Sequence, residues 1–152
     1  MTGRFHLHPL IELARSQLDA AARDLQARKL QWDGQEAKLG QILVYHAEYQ
    51  GKLRQLSQEG MPVALMRDFR AFLGKLDAAL VQQRGEAERA KTRWEEGAAH
   101  WRLKKRQLDA LETLARRHAA RQLKAEMRRE QRLLDELAEK SSVAGREGQG
   151  SD

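Results

Sequence analysis

Ser57-Gln58-Glu59-Gly60-Met61-Pro62 is the stretch where this chain has to turn. Gly60 suits the left-handed position that ends a helix, because it has no Cβ to clash there. Pro62 has no N–H to donate and a fixed φ, so it suits the first turn of the next helix. On both sides run about fifty or more residues of helix-forming composition without proline. The segment therefore predicts a hinge at about 57–62 between a helix of about 7–57 and a helix of about 63–140.

Outward from the hinge, each arm carries a seven-residue repeat. In the first arm one position holds Ile11, Leu18, Leu25, Trp32, Leu39, His46 and Leu53. Three residues on come Ala14, Ala21, Arg28, Gln35, Ile42, Tyr49 and Leu56. The second arm repeats the period with Met66, Leu73, Leu80, Ala87, Trp94, Trp101, Leu108 and Ala115. Its companion position holds Phe69, Leu76, Gln83, Ala90, Gly97, Lys104, Leu111 and His118. A sustained heptad predicts a seam that supercoils on a partner. If the arms are antiparallel, Leu53 meets Met66, His46 meets Leu73, Leu39 meets Leu80 and Trp32 meets Ala87. Further out Leu25 meets Trp94, Leu18 meets Trp101 and Ile11 meets Leu108. The expected fold is all-α: two long helices in an antiparallel coiled-coil hairpin, one coiled-coil domain over 1–140. The second helix overhangs the first from about 113–115, and the Ser- and Gly-containing residues 141–152 form a disordered tail.

Composition agrees with a thin helical structure. Of the 152 residues 33% are charged and 5% aromatic, the profile of long helices. The sequence has no cysteine, which excludes disulfides and thiolate metal sites. No apolar run approaches the roughly 20 residues that span a bilayer, and residues 1–8 lack the apolar core of a signal peptide. The expectation is a soluble, cytoplasmic protein without membrane insertion. His6 and His8 have no acidic ligand cluster beside them, so no metal or other cofactor is expected. Glu95-Glu96 and Asp135-Glu136 alternate with Arg and Lys along solvent faces, and no Gly-rich phosphate loop occurs; no catalytic residues are assigned, and an enzyme is not expected.

Two surfaces exceed what a two-helix seam needs. Near the hinge Leu39, Leu43 and Leu53 supply one apolar stripe, and Ile42, Tyr45 and Tyr49 form a second beside it. Across the hinge Phe72, Leu76 and Ala79 repeat that spacing. Such rings suit the centre of an interface, or they thicken the core at the hinge. Beyond the reach of the first arm, Leu123, Met127, Leu134 and Leu137 keep helical spacing on a charged helix. That stripe is a docking surface, or the free helix frays. The net charge of +6 is concentrated in Arg102-Lys104-Lys105-Arg106, Arg116-Arg117-Arg121 and Arg128-Arg129-Arg132. Asp109, Glu112, Glu126 and Glu130 intervene and no aromatic follows Trp101, so an acidic protein surface fits these runs better than nucleic acid.

The ordered set of segments resembles a known family. Arg4-Phe5-His6-Leu7-His8-Pro9-Leu10 followed by Ile11-Glu12-Leu13-Ala14-Arg15 is similar to the N-terminus of the flagellar export family FliJ. Leu43-Val44-Tyr45-His46-Ala47-Glu48-Tyr49 resembles its Tyr-x-x-x-Tyr segment, and Phe72-Leu73-Gly74-Lys75-Leu76-Asp77-Ala78-Ala79 its Phe-x-x-x-Leu-x-x-Ala segment. Trp101-Arg102-Leu103-Lys104-Lys105-Arg106-Gln107-Leu108 with Leu111-Glu112 fits the later stretch. The chain departs from the family pattern at Lys38 and Gln83.

The resemblance implies a non-enzymatic component of the bacterial flagellar type III export apparatus, peripheral to the inner membrane. It implies a stalk-like coiled coil that binds the export ATPase FliI and promotes ring assembly. It further implies contact with the export gate protein FlhA and escort of substrate chaperones. On this resemblance the gate-binding residues are Ile42, Tyr45, Tyr49, Phe72, Leu76 and Ala79. By the stalk analogy the basic overhang, with Arg116, Arg117, Arg121, Leu123 and Met127, meets the ATPase ring. The equivalent stalk protein of a virulence injectisome is the nearest alternative, and a basic nucleic-acid-binding coiled coil a further one.

Overall fold

The computed structural model describes residues 2–150, with the side chains of 7–148 and 150. It consists of two helices packed against each other, α1 (Thr2–Glu59) and α2 (Val63–Gln149). Gly60, Met61 and Pro62 join them. Gly60 has φ of 87°, the left-handed conformation expected of a glycine that stops a helix. The carbonyl of Pro62 accepts from the Met66 N–H at 3.1 Å. That bond closes the first turn of α2, so Pro62 caps the helix from just outside it. The hinge is thus narrower than expected, because Ser57-Gln58-Glu59 remain helical.

The chain divides into two compact units, Ser16–Lys105 and Met1–Arg15 with Arg106–Asp152. In Ser16–Lys105 the helices run antiparallel: the Tyr49 ring lies 6.3 Å from that of Phe69, Gln35 bonds Gln83, and Lys104 donates to Gln17 at 3.3 Å. From Leu18 to Leu56 the covered residues of α1 are those of the heptad, and no others. On α2 Leu80, Ala87, Ala90 and Ala98 are buried. The small residues let the backbones approach closely, as a seam of fixed width requires.

Within this register two large side chains reach past their expected mates. Trp32, expected opposite Ala87, packs its ring 5.2 Å from that of Trp94. Lys29 covers the pair, with Nζ 4.2 Å from the Trp32 centroid. His46, expected opposite Leu73, has Nε2 2.6 Å from Asp77 Oδ1. Leu43, expected within the seam stripe, is instead 41% exposed, because it lies about 100° around the helix from Ile42.

In the other unit Ile11, Ala14 and Leu108 are buried and Arg15 pairs with Glu112 at 3.4 Å. Coverage of α2 continues through His118, Gln122 and Ala125. This is further than expected; α1 also begins earlier, at Thr2 rather than near Leu7, with Pro9 inside the helix. From 126 to 148 every residue of α2 is exposed. The helical end differs from the expectation at 140: residues 141–149 are helical too. Ala144, Arg146, Glu147 and Gln149 favour helix, and Gly145 and Gly148 do not interrupt it. Asp152 and Ser151 of the expected tail lie outside the described residues.

Candidate functional site

The six residues expected to form an apolar flank lie together in the unit Ser16–Lys105. Ile42 and Tyr49 occupy seam positions on α1 and are half-buried, as are Leu76 and Ala79 on α2. Tyr45 and Phe72 stand outside the seam, 55% and 41% exposed. The link between the helices is Tyr49. Its ring lies 4.7 Å from that of Phe72, tilted by 52°, a geometry that aromatic pairs favour. Ile42, Tyr49, Leu76 and Ala79 thus thicken the core, while Tyr45 and Phe72 present apolar surface to solvent.

Beside Tyr45 the exposed apolar surface extends to Leu43, expected in the seam stripe, and to Val44, which the stripes did not include. A shallow depression on α1 is lined by Ala37, Gly40, Gln41, Val44, Tyr45 and Glu48. The unbroken run Ile42-Leu43-Val44-Tyr45 was the available signal. Four consecutive apolar residues cannot all face one seam in a helix of 3.6 residues per turn.

Polar side chains also enter the seam of this unit. Gln83 Nε2 donates to Gln35 Oε1 at 2.7 Å and to the Gln35 backbone carbonyl at 3.0 Å. Arg28 donates through Nη1 to the Arg93 carbonyl at 2.7 Å and pairs with Asp24 at 2.9 Å. Gly97 is buried beside it.

The residues expected to meet the ATPase lie in the unit Met1–Arg15 with Arg106–Asp152. Arg116, Arg117 and Arg121 are exposed on α2, and Arg116 donates to the Thr113 hydroxyl at 3.2 Å. Leu123 and Met127 are 59% and 62% exposed. Nearby, Leu7, His8, Ile11, Ala115, His118 and Ala119 line a small cleft, and among the described residues the buried His118 Nε2 has no hydrogen-bond partner. His8 contacts Glu12 at 3.7 Å; the side chain of His6 lies outside the described residues. Among the described residues no group of three or more His, Cys, Asp or Glu could hold a metal ion. Among the described residues no helix is long and apolar enough to cross a membrane.

Two long helices with an apolar flank near the turn and a charged, exposed extension define a coiled-coil hairpin. The chain belongs to the flagellar FliJ protein family, whose model matches residues 4–147. It is 28% identical over 137 residues to the flagellar FliJ protein of Salmonella typhi, covering 90% of this chain and 93% of that protein. The flagellar FliJ protein of Escherichia coli (strain K12) is 27% identical with the same coverage. Membership makes this a flagellar protein, and the helical hairpin is consistent with a component of the flagellar export apparatus.

Proposed function

We propose that this chain is a stalk-like coupling protein of the flagellar type III export apparatus, working in the cytoplasm at the inner membrane without catalysing a reaction. In this reading it binds the export ATPase FliI, promotes assembly of its ring, contacts the export gate FlhA and escorts substrate chaperones. The observation that supports it most is the aromatic flank. Tyr49 reaches Phe72 across the hairpin, while Tyr45 and Phe72 remain substantially exposed. Rings fixed on a helical scaffold lose little entropy on binding, so they suit an interface centre. Ile42, Tyr45, Tyr49, Phe72, Leu76 and Ala79 are assigned to the gate. Arg116, Arg117, Arg121, Leu123 and Met127 are assigned to the ATPase, whose acidic groups the arginines would pair.

The test is the hydrolysis rate of purified flagellar export ATPase at physiological salt, with and without this protein, together with ring formation. Stimulation accompanied by more ring supports the stalk reading. An active ATPase that neither speeds up nor assembles removes it. Stimulation of an injectisome ATPase alone would transfer the reading to that system.

A further inference from the structure

Arg117, Arg121, Lys124, Arg128 and Arg132 stand four, three, four and four residues apart on α2. At about 100° per residue they fall within an arc of roughly 80°, so they form one row along about 22 Å of helix. All five are exposed, and all lie in the unit Met1–Arg15 with Arg106–Asp152. Glu126 and Glu130 interrupt the row in the sequence but not on the surface. Each is two residues from Arg128, which places it about 160° around the helix from that side chain. Among the described residues none of the five cations is in an ion pair. The row is bounded along the helix by Leu114 on one side and Asp135 on the other.

We propose that this row is a docking surface for an anionic phospholipid leaflet, along which α2 lies at the level of the headgroups. Charge complementarity carries the assignment, since an unbroken line of cations with its carboxylates turned away attracts a surface of phosphates. A straight row meets a flat sheet of phosphates over its whole length. The phosphates of a duplex strand wind away from a straight helix, so so narrow a row would reach few of them. No aromatic residue follows Trp101, so the bases of a single strand find nothing to stack on here. The apolar side chains of the extension lie elsewhere: Leu123, Met127 and Leu134 are about 100–140° around the helix from Arg128. The helix therefore docks by charge and does not insert, unlike an interfacial helix whose apolar face enters the acyl boundary.

One consequence rests on the function proposed above. Arg117 and Arg121 are also assigned to the ATPase, so leaflet and ATPase exclude each other at these two side chains. Lys124, Arg128 and Arg132 are outside that assignment, and the lipid docking does not depend on it.

Co-sedimentation of the full chain with vesicles tests the proposal. The chain should bind vesicles of equal parts phosphatidylcholine and phosphatidylglycerol at about 0.1 M salt and leave them at about 1 M, where screening confines charge to a few ångströms. Vesicles of phosphatidylcholine alone should not bind it. Each cation at an anionic leaflet tightens binding roughly fivefold, so Lys124→Glu with Arg128→Glu should weaken it about twentyfold or more. Arg67→Glu with Arg70→Glu makes the same change in net charge at exposed positions of the other unit. That pair should leave binding within about twofold, because its charges lie off the row. Circular dichroism checks that each variant keeps its helices. Three results would each overturn the proposal: no binding to the mixed vesicles, binding that survives high salt, or equal loss in both variants. Tighter binding to a random-sequence DNA duplex than to the mixed vesicles overturns it in favour of nucleic acid. Stimulation of the export ATPase is measured separately with the same chains. Stimulation without lipid binding removes this proposal alone, and lipid binding without stimulation removes the ATPase assignment alone.

Discussion

Arg28 lies across Gly97: a Cβ built on that glycine would fall 2.8 Å from Arg28 Cδ and 3.4 Å from its Nε. The arginine is held in place by the Arg93 carbonyl and the Asp24 carboxylate. A charged residue can thus occupy a seam position because the facing residue has no side chain, and its guanidinium reaches polar groups at the edge of the seam. This gives Gly97 a role that Gly34, Gly40 and Gly51 lack, since nothing lies within 4 Å of a Cβ at those three.

The four glycines should therefore respond differently to alanine. Gly34→Ala, Gly40→Ala and Gly51→Ala each relieve a helix-interior glycine and should add up to about 1 kcal/mol of stability. Gly97→Ala should fall short of them by about 1 kcal/mol or more, because Arg28 must shift and loosen its hydrogen bonds. Adding Arg28→Ala to Gly97→Ala should restore most of the missing gain. Urea midpoints by circular dichroism decide it. Equal gains at all four positions would mean that Arg28 is not anchored.

Gln35 and Gln83 form a polar layer in an otherwise apolar repeat, with Gln83 donating to both the side chain and the backbone of Gln35. Polar seam residues fix register at a cost in stability. Gln83→Leu alone leaves Gln35 without its donor, so it should be neutral or destabilise by about 1 kcal/mol. Gln35→Leu with Gln83→Leu should raise the unfolding midpoint. The double variant should also populate additional oligomers in light scattering. A double variant less stable than wild type would show that the layer contributes net stability.

The heptad made the seam legible before any coordinates. From Leu18 to Leu56 on α1 each covered residue falls where the repeat places it, because burial in a two-helix hairpin has one periodic cause. The turn was legible for a similar reason, since Gly60 and Pro62 each permit few conformations. What the repeat could not supply was anything that depends on side-chain length. Trp32 reaches Trp94 rather than remaining over Ala87, and His46 reaches Asp77. The helix ends were also hidden, since Ser141 to Gln149 has no strong stop signal until its final glycine. At the candidate site, spacing found the six residues of the flank. It could not divide them into covered and exposed, which requires the inter-helix contact between Tyr49 and Phe72.

That division predicts which substitutions separate binding from folding. Phe72 and Tyr45 are substantially exposed, so Phe72→Ala and Tyr45→Ala should cost about 1 kcal/mol or less of stability. Tyr49 packs against both Phe69 and Phe72, and Tyr49→Ala should cost about 2 kcal/mol or more. If the flank is the gate-binding surface, Phe72→Ala and Tyr45→Ala should each weaken binding to the purified cytoplasmic part of the gate by about tenfold or more. Calorimetry with thermal melts of the same variants separates the two effects. Unchanged gate affinity in both folded variants would remove the assignment.

The arginines of the other surface should behave in the opposite way. Arg116, Arg117 and Arg121 are exposed, and Arg116 donates to the Thr113 hydroxyl. Replacing all three with Glu should change stability little. Reversing three charges against an acidic partner should slow association, steepen dissociation and lower ATPase stimulation. Raising the salt should weaken the wild-type ATPase complex while leaving the variant's residual binding nearly flat. Gate binding should be unaffected, because the aromatic flank belongs to the separate unit Ser16–Lys105. Titrating both partners against the triple variant checks this directly. If affinity for ATPase and gate falls together, the two surfaces do not act independently and the division of labour between them is wrong.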